Sequence, residues 1–190
     1  TPVVGMVGVV ADVRQVCGQG WRQGGDLVYL LGGETVTVGG SEYLATIHET
    51  IAGKPPQLDF ALEKQVQLAC REGIKQGLIH SAHDCAEGGI AVALAEACLA
   101  GHLGVTVTLS PHDNQRWDEC LFGEGASRIL ASVPPERQEQ WESFLQEHLG
   151  ESWQQIGVVQ GKELKINSHC ILPLETMRET FEGAIASSIQ

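Results

Sequence analysis

Cations are scarce in this chain: 12 Lys and Arg stand against 24 Asp and Glu, a formal charge of −12 at pH 7. The few basic residues are dispersed, so a nucleic-acid backbone would be repelled rather than gripped, and no nucleic-acid partner is expected. Long hydrophobic runs are missing as well. No stretch approaches the roughly 20 apolar residues of a membrane helix, and no charged-then-apolar leader opens the chain, so neither a membrane partner nor secretion is expected. The six cysteines, Cys17, Cys70, Cys85, Cys98, Cys120 and Cys170, contain no C-x-x-C pair. That removes the usual spacing of a structural zinc site and argues against a disulfide framework. Cys70 and Cys98 lie among alanines at helical spacing, where a reduced thiol packs as a small core residue. Reduced cysteines fit a cytoplasmic setting. Internal repeats and low-complexity segments are absent too.

What is present is 190 residues, enough for one good-sized domain or a domain with a fragment of another. The first residue is Thr and the chain begins inside an apolar run, as a piece of a longer polypeptide would. Residues 1–13 read as a fully buried strand of small and β-branched residues closing at Asp12. A second strand over 27–31 is opened by Gly25-Asp26 and closed by Gly32-Gly33. Gly39-Gly40-Ser41-Glu42 leads into a short helix through Ile47; Gly40 and Ser41 there make either a helix cap or a second anion-binding turn. Gly53-Lys54-Pro55-Pro56 is a stiff loop. From Leu58, the residues Leu62, Val66, Ala69 and Ile74 follow a 3.6-residue period, the clearest amphipathic helix of the chain.

The stretch around which the rest is arranged follows. Leu78-Ile79 reads as a strand end, residues 81–87 as a polar knot, Gly88-Gly89 as a sharp turn, and residues 90–100 as an alanine-rich helix. A glycine pair lets the backbone bend and a ligand come close. Free N–H groups at the helix start favour an anion. With His83, Asp84 and Glu87 at the mouth of the turn, such a site suits a phosphate held by backbone and a metal ion held by carboxylate. Plain helix capping by acidic residues, worth about 0.3–1 kcal/mol each, explains the same pattern without a ligand. A metal-dependent hydrolase built on His83, Asp84 and Cys85 is a poor reading, because adjacent residues point in different directions and no second ligand pair supports them.

Beyond Gly101, residues 105–109 alternate as a strand, and 111–120 hold a short helix with Trp117 and Leu121 inward. Residues 129–133 form another strand. Pro134-Pro135 starts a helix with Trp141, Phe144, Leu145 and Leu149 on its face, stopped by Gly150. Strands over 153–159 and 163–166 read as a hairpin turning at Gln160-Gly161-Lys162. A last helix from Pro173 would bury Leu174, Met177, Phe181 and Ile185. The aromatic residues have the spacing of core packing. Strands and helices mingled with short connections indicate an α/β sandwich with a mixed sheet.

Six motifs in series carry a more specific signal. They are Gly-Asp-Leu-Val-Tyr-Leu-Leu-Gly at 25–32, Gly-Gly-Ser-Glu-Tyr-Leu at 39–44 and Leu-Glu-Lys at 62–64, then Ser-Ala-His-Asp-Cys-Ala-Glu-Gly-Gly at 81–89, Leu-Phe-Gly-Glu at 121–124 and Ser-Arg-Ile-Leu at 127–130. Together they closely resemble the C-terminal part of the synthetase subunit of phosphoribosylformylglycinamidine synthase, in its small multi-subunit form. The resemblance implies an α/β (α+β) fold, a three-layer α/β/α sandwich with a mixed sheet, of the aminoimidazole-ribonucleotide-synthetase C-terminal type. It makes residues 1–13 the terminal strand of a preceding N-terminal-type domain and 14–190 the last of four domains.

The same resemblance implies an ATP-dependent ligase of purine biosynthesis. Such an enzyme activates the amide oxygen of formylglycinamide ribonucleotide, and glutamine-derived ammonia displaces phosphate to give the amidine. ATP and Mg²⁺ are the implied cofactors. The partners would be the other domains of the subunit, a glutaminase subunit and a small accessory subunit. The catalytic histidine and ATP-contacting lysine belong to parts of the family outside this chain, so no catalytic residue is expected here and the chain alone should be inactive. Asp84 matches a magnesium-binding carboxylate. Nucleotide or phosphate contacts are expected at Gly40, Ser41, His83, Glu87, Gly88, Gly89 and Glu124. Where the first half of the family carries Glu-Ser-Gln, this chain reads Glu124-Gly125-Ala126, which has lost a hydroxyl and an amide. Ala86 likewise stands where relatives carry Ser. These departures point away from a substrate site and towards an auxiliary site that holds a nucleotide structurally, or towards a purely structural module.

Overall fold

Extended segments with apolar residues on both faces demand a helical layer on each side. The structure, a computed structural model, describes residues 3–112 and 114–188, with side chains followed as far as Ala184. Among these, seven strands form one mixed sheet: β1 Leu27–Gly32, β2 Ser81–Asp84, β3 Val105–Val107, β4 Arg128–Val133, β5 Trp153–Val159, β6 Glu163–Ile166 and β7 Cys170–Pro173. Their spatial order is β2-β4-β1-β5-β3-β6-β7, antiparallel throughout except for the parallel pair β3·β6. The helices are α1 Glu42–Ile47, α2 Phe60–Lys75, α3 Gly89–Gly101, α4 Trp117–Phe122, α5 Gln138–Leu149 and α6 Leu174–Ser188.

Strand alternation divides the core in two. On β1, Val28 and Leu30 face a cluster built with Ile90, Ala93, Leu94 and Ala97 of α3 and with Leu174 and Met177 of α6. Tyr29 and Leu31 face the opposite cluster, with Val66 and Ala69 of α2 and Trp141 and Leu145 of α5. Each fully buried Leu, Val or Ile contributes roughly 1.5–3 kcal/mol. Tyr29 meets Trp141 edge-on, ring centroids 6.4 Å apart at 84°, and its hydroxyl donates to Glu142 (2.8 Å). Three layers and a mixed sheet result, as expected.

Four readings need correction. Residues 3–11 form no strand, and Val3, Val4, Met6, Val7 and Val9 are exposed. Among the described residues these apolar side chains join no sheet; Thr1 and Pro2 lie outside the described residues. The strand before the glycine turn comes later than expected, at Ser81–Asp84, so His83 and Asp84 sit on a strand and not in the turn. Leu78 and Ile79 are buried in the connection that precedes it. Strands β5 and β6 are not a hairpin. β3 lies between them, antiparallel to β5 and parallel to β6, with the Gly104 N–H donating to Gly161 (3.0 Å) and the Gln160 N–H to Gly104 (2.9 Å). The true hairpin is β6·β7, and β7 escaped notice because it is short and ends in Pro173. Phe181 is exposed on α6, and the side chain of Ile185 lies outside the described residues.

Candidate functional site

The turn after β2 is built by backbone geometry. Gly88 and Gly89 have φ of +76° and +66°, a region that side chains other than glycine enter at a cost. A Cβ on Gly89 would lie 2.6 Å from the Gly123 carbonyl and 2.9 Å from that of Leu121. The glycine pair therefore lets the start of α3 press against the end of α4. The Gly89 N–H donates to Ala86 (3.1 Å), which occupies one donor that could have faced an anion.

Glu124 takes up another. One oxygen of its carboxylate, Oε1, accepts from the Gly88 N–H (3.0 Å) and from the Glu42 N–H (2.9 Å). A negative group between two helix starts is favoured by both dipoles. Glu124 is fixed there by paired backbone bonds with Thr37, 3.0 and 2.9 Å. Ser41 completes the first turn of α1: its Oγ accepts from the Leu44 N–H (3.3 Å) and donates to Val38 (2.6 Å). The Gly40 N–H donates to Ala52 (2.7 Å). Gly40, Ser41, Gly88, Gly89 and Glu124 thus belong to one structural knot that joins two helix starts, and Ser41 plays the cap.

His83 and Asp84 lead elsewhere. The His83 Nε2 lies 2.9 Å from Glu96 on α3 and its Nδ1 lies 3.5 Å from Asp84. The Asp84 side chain is 75% exposed and borders a cleft of about 640 Å³ with Phe60, Glu63, Gln67, Gly125 and Ser127. Glu124 does not border that cleft. Glu87 is exposed. Among the described residues no group of three or more His, Cys, Asp or Glu is placed to hold a metal ion. A single exposed carboxylate such as Asp84 does suit magnesium that is bound chiefly by phosphate and water. Cys85 is no nucleophile: burial pushes its thiol up to about 11, against a smaller opposing pull from Arg128.

Arg128, the first residue of β4, is the functional candidate that sequence reading passed over. It is 7% exposed, and its Nε and Nη1 meet no acceptor among the described residues. The available signal was an arginine opening an apolar strand, Ser-Arg-Ile-Leu.

A seven-stranded mixed sheet between two helical layers, entered by a strand–glycine–glycine–helix turn, defines the class. Residues 23–167 match the model of the AIR synthase related protein, C-terminal domain, and the chain belongs to that family. Within it, the similarity is to one kind of protein. The chain is 55% identical over 98% of its length to phosphoribosylformylglycinamidine synthase subunit PurL of Nostoc sp., and 61% identical over 84% of its length to the same subunit of Cyanothece sp.. It spans 25% and 21% of those relatives, about a quarter of their length. Among solved structures, Thermotoga maritima PurL complexed with FGAR superposes with a TM-score of 0.73 at 17% identity, covering 87% of this chain and 30% of that one.

Proposed function

We propose that this chain is the C-terminal-type domain of the synthetase subunit of a phosphoribosylformylglycinamidine synthase. In that subunit formylglycinamide ribonucleotide, ATP and glutamine-derived ammonia give the amidine, ADP and phosphate. The observation that carries the reading is 55% identity to Nostoc PurL along nearly the whole chain. Supporting it, T. maritima PurL structures are complexed with FGAR and with ATP, and another is of PurLQS. Residues 14–190 make the domain, and residues 1–13, in which Val3, Val4, Met6, Val7 and Val9 are exposed here, supply a terminal strand to the sheet of the domain before it. The partners are that domain and its companions in the subunit, a glutaminase subunit and a small accessory subunit, in the cytoplasm.

In this role the chain performs no proton transfer of its own. Glu124 and the glycine pair lock the start of α3, which fixes β2 and sets Asp84 at the border of the cleft. Asp84 there serves as one carboxylate ligand of Mg²⁺, which would neutralise nucleotide phosphates. His83 orients beside it, held by Glu96.

The test is a hybrid. Replacing the matching quarter of Nostoc PurL by this chain should preserve ammonia-dependent amidine formation, whereas the 190-residue chain alone should form none. A folded but inactive hybrid, or turnover by the isolated chain, overturns the proposal. The exposure of Asp84 favours a second reading, an auxiliary nucleotide-binding module. Calorimetric titration of the hybrid with Mg·ADP should then show binding that Asp84→Asn weakens, and equal heats in both proteins would refute it.

A further inference from the structure

Arginine keeps its proton under all physiological conditions, so a buried guanidinium is a permanent cation that needs acceptors. Arg128 has none for Nε and Nη1 among the described residues, and both atoms are shut away from solvent. Uncompensated charge of this kind is expensive to bury, and folds retain it where something pairs with it. Its surroundings have the form of a small chamber. The ends of β1, β4 and β5 and the loop after β3 enclose about 40 Å³, bordered by Arg128, Gly32, Ser110, Cys120 and Gln154.

The chamber is held open by backbone. Gly32 lies opposite Arg128 in the β1·β4 register, with φ +101°. A Cβ there would fall 1.6 Å from the Ser127 carbonyl, so no side chain can fill that wall. The Arg128 charge acts on the thiol of Cys120, which borders the same chamber. A water needs roughly 10–15 Å³ by this measure, so there is room for about three waters. That space admits one tetrahedral oxyanion and excludes a nucleobase or a ribose.

We infer that Arg128, with the Ser110 hydroxyl and Gln154 amide at the open side, forms a binding site for a phosphate-sized oxyanion. Arg128 also borders the Asp84 cleft, whereas Ser110 and Gln154 do not, and the site does not depend on the proposed ligase role. One rival for the guanidinium is already in the chain. Glu34 borders the chamber on an exposed side chain, 3.7 Å from His112, and a rotation could bring its carboxylate to Arg128.

Nitrogen-15 spectra of the arginine side chains of the 190-residue chain decide the matter, at constant ionic strength. Titration with inorganic phosphate should move the Arg128 Nε–Hε resonance saturably, while chloride leaves it in place. Ser110→Ala should weaken the apparent affinity severalfold, and Arg128→Lys at least tenfold. Should Arg128→Lys fail to fold, Ser110→Ala and Gln154→Ala at the surface carry the same test. A parallel titration with ribose 5-phosphate identifies the source: saturation there also means a phosphomonoester is accepted, and saturation with phosphate alone means a free anion. No saturable movement with either ligand overturns the site. So does a resonance that Glu34→Gln displaces with no anion added, since Glu34 would then be the partner.

Discussion

Glu124 shows how one side chain can look like a ligand site and serve as a joint. Its position after a glycine and before a strand resembles a binding motif, yet one carboxylate oxygen serves the first turns of both α1 and α3. Glu124→Ala should destabilise the fold by about 1–3 kcal/mol in urea unfolding, as expected when a part-buried Gly88 N–H and an exposed Glu42 N–H lose a charged acceptor, with Glu124→Gln costing less. The buried thiols give a second test at this scale. Burial raises Cys70, Cys85 and Cys98 from 9.0 to about 11. The folded state therefore holds these protons more tightly than the unfolded one, and this stabilisation, full below pH 9, is lost as pH climbs from about 9 to 11. Each thiol should subtract roughly 1.4 kcal/mol per pH unit across that window. Chemical denaturation at stepped alkaline pH reads the slope, and alkylation at pH 8 with mass mapping should leave all three unmodified. Of the residues singled out by sequence, Ser41 was legible as a cap from its position before Glu42. The partners of Glu124 were not, because Gly88 and Glu42 are brought to it only by the meeting of α1 and α3.

Elements form where local rules and packing agree, and two glycines separate the terms. Gly77 has φ +67° with open space around it, whereas Gly32 has φ +101° and a carbonyl 1.6 Å from its missing Cβ. Gly77→Ala should cost about 1–2 kcal/mol from backbone strain alone. Gly32→Ala must also part β1 from β4 and should prevent stable folding, a contrast that thermal melts of the two variants will show. Amphipathic α2 and α5 were readable from their period, since Val66, Ala69, Trp141 and Leu145 all face one cluster. β1 was readable from its unbroken apolar run. The β5–β6 pairing was misread for a physical reason. Gln160-Gly161-Lys162 has hairpin chemistry, with Gly161 at φ +69°, but no local signal reports that a distant segment will enter between the flanking strands.

At the scale of the molecule, the exposed run at residues 3–10 stands apart from a domain whose two cores are complete without it. Removing residues 1–10 should change unfolding free energy by less than about 1 kcal/mol, while sedimentation should show less self-association, because unpaired apolar segments recruit one another. A large loss of stability would mean the segment belongs to this core after all. The net charge of −12 opposes such association at neutral pH, and its influence fades towards the pI near 4.9. The insertion of β3 between β5 and β6 reaches furthest of all. Two neighbouring strands that could close on each other within microseconds must instead stay apart until a segment made long before them arrives. A β5–β6 hairpin that formed first would therefore have to open again before β3 could enter.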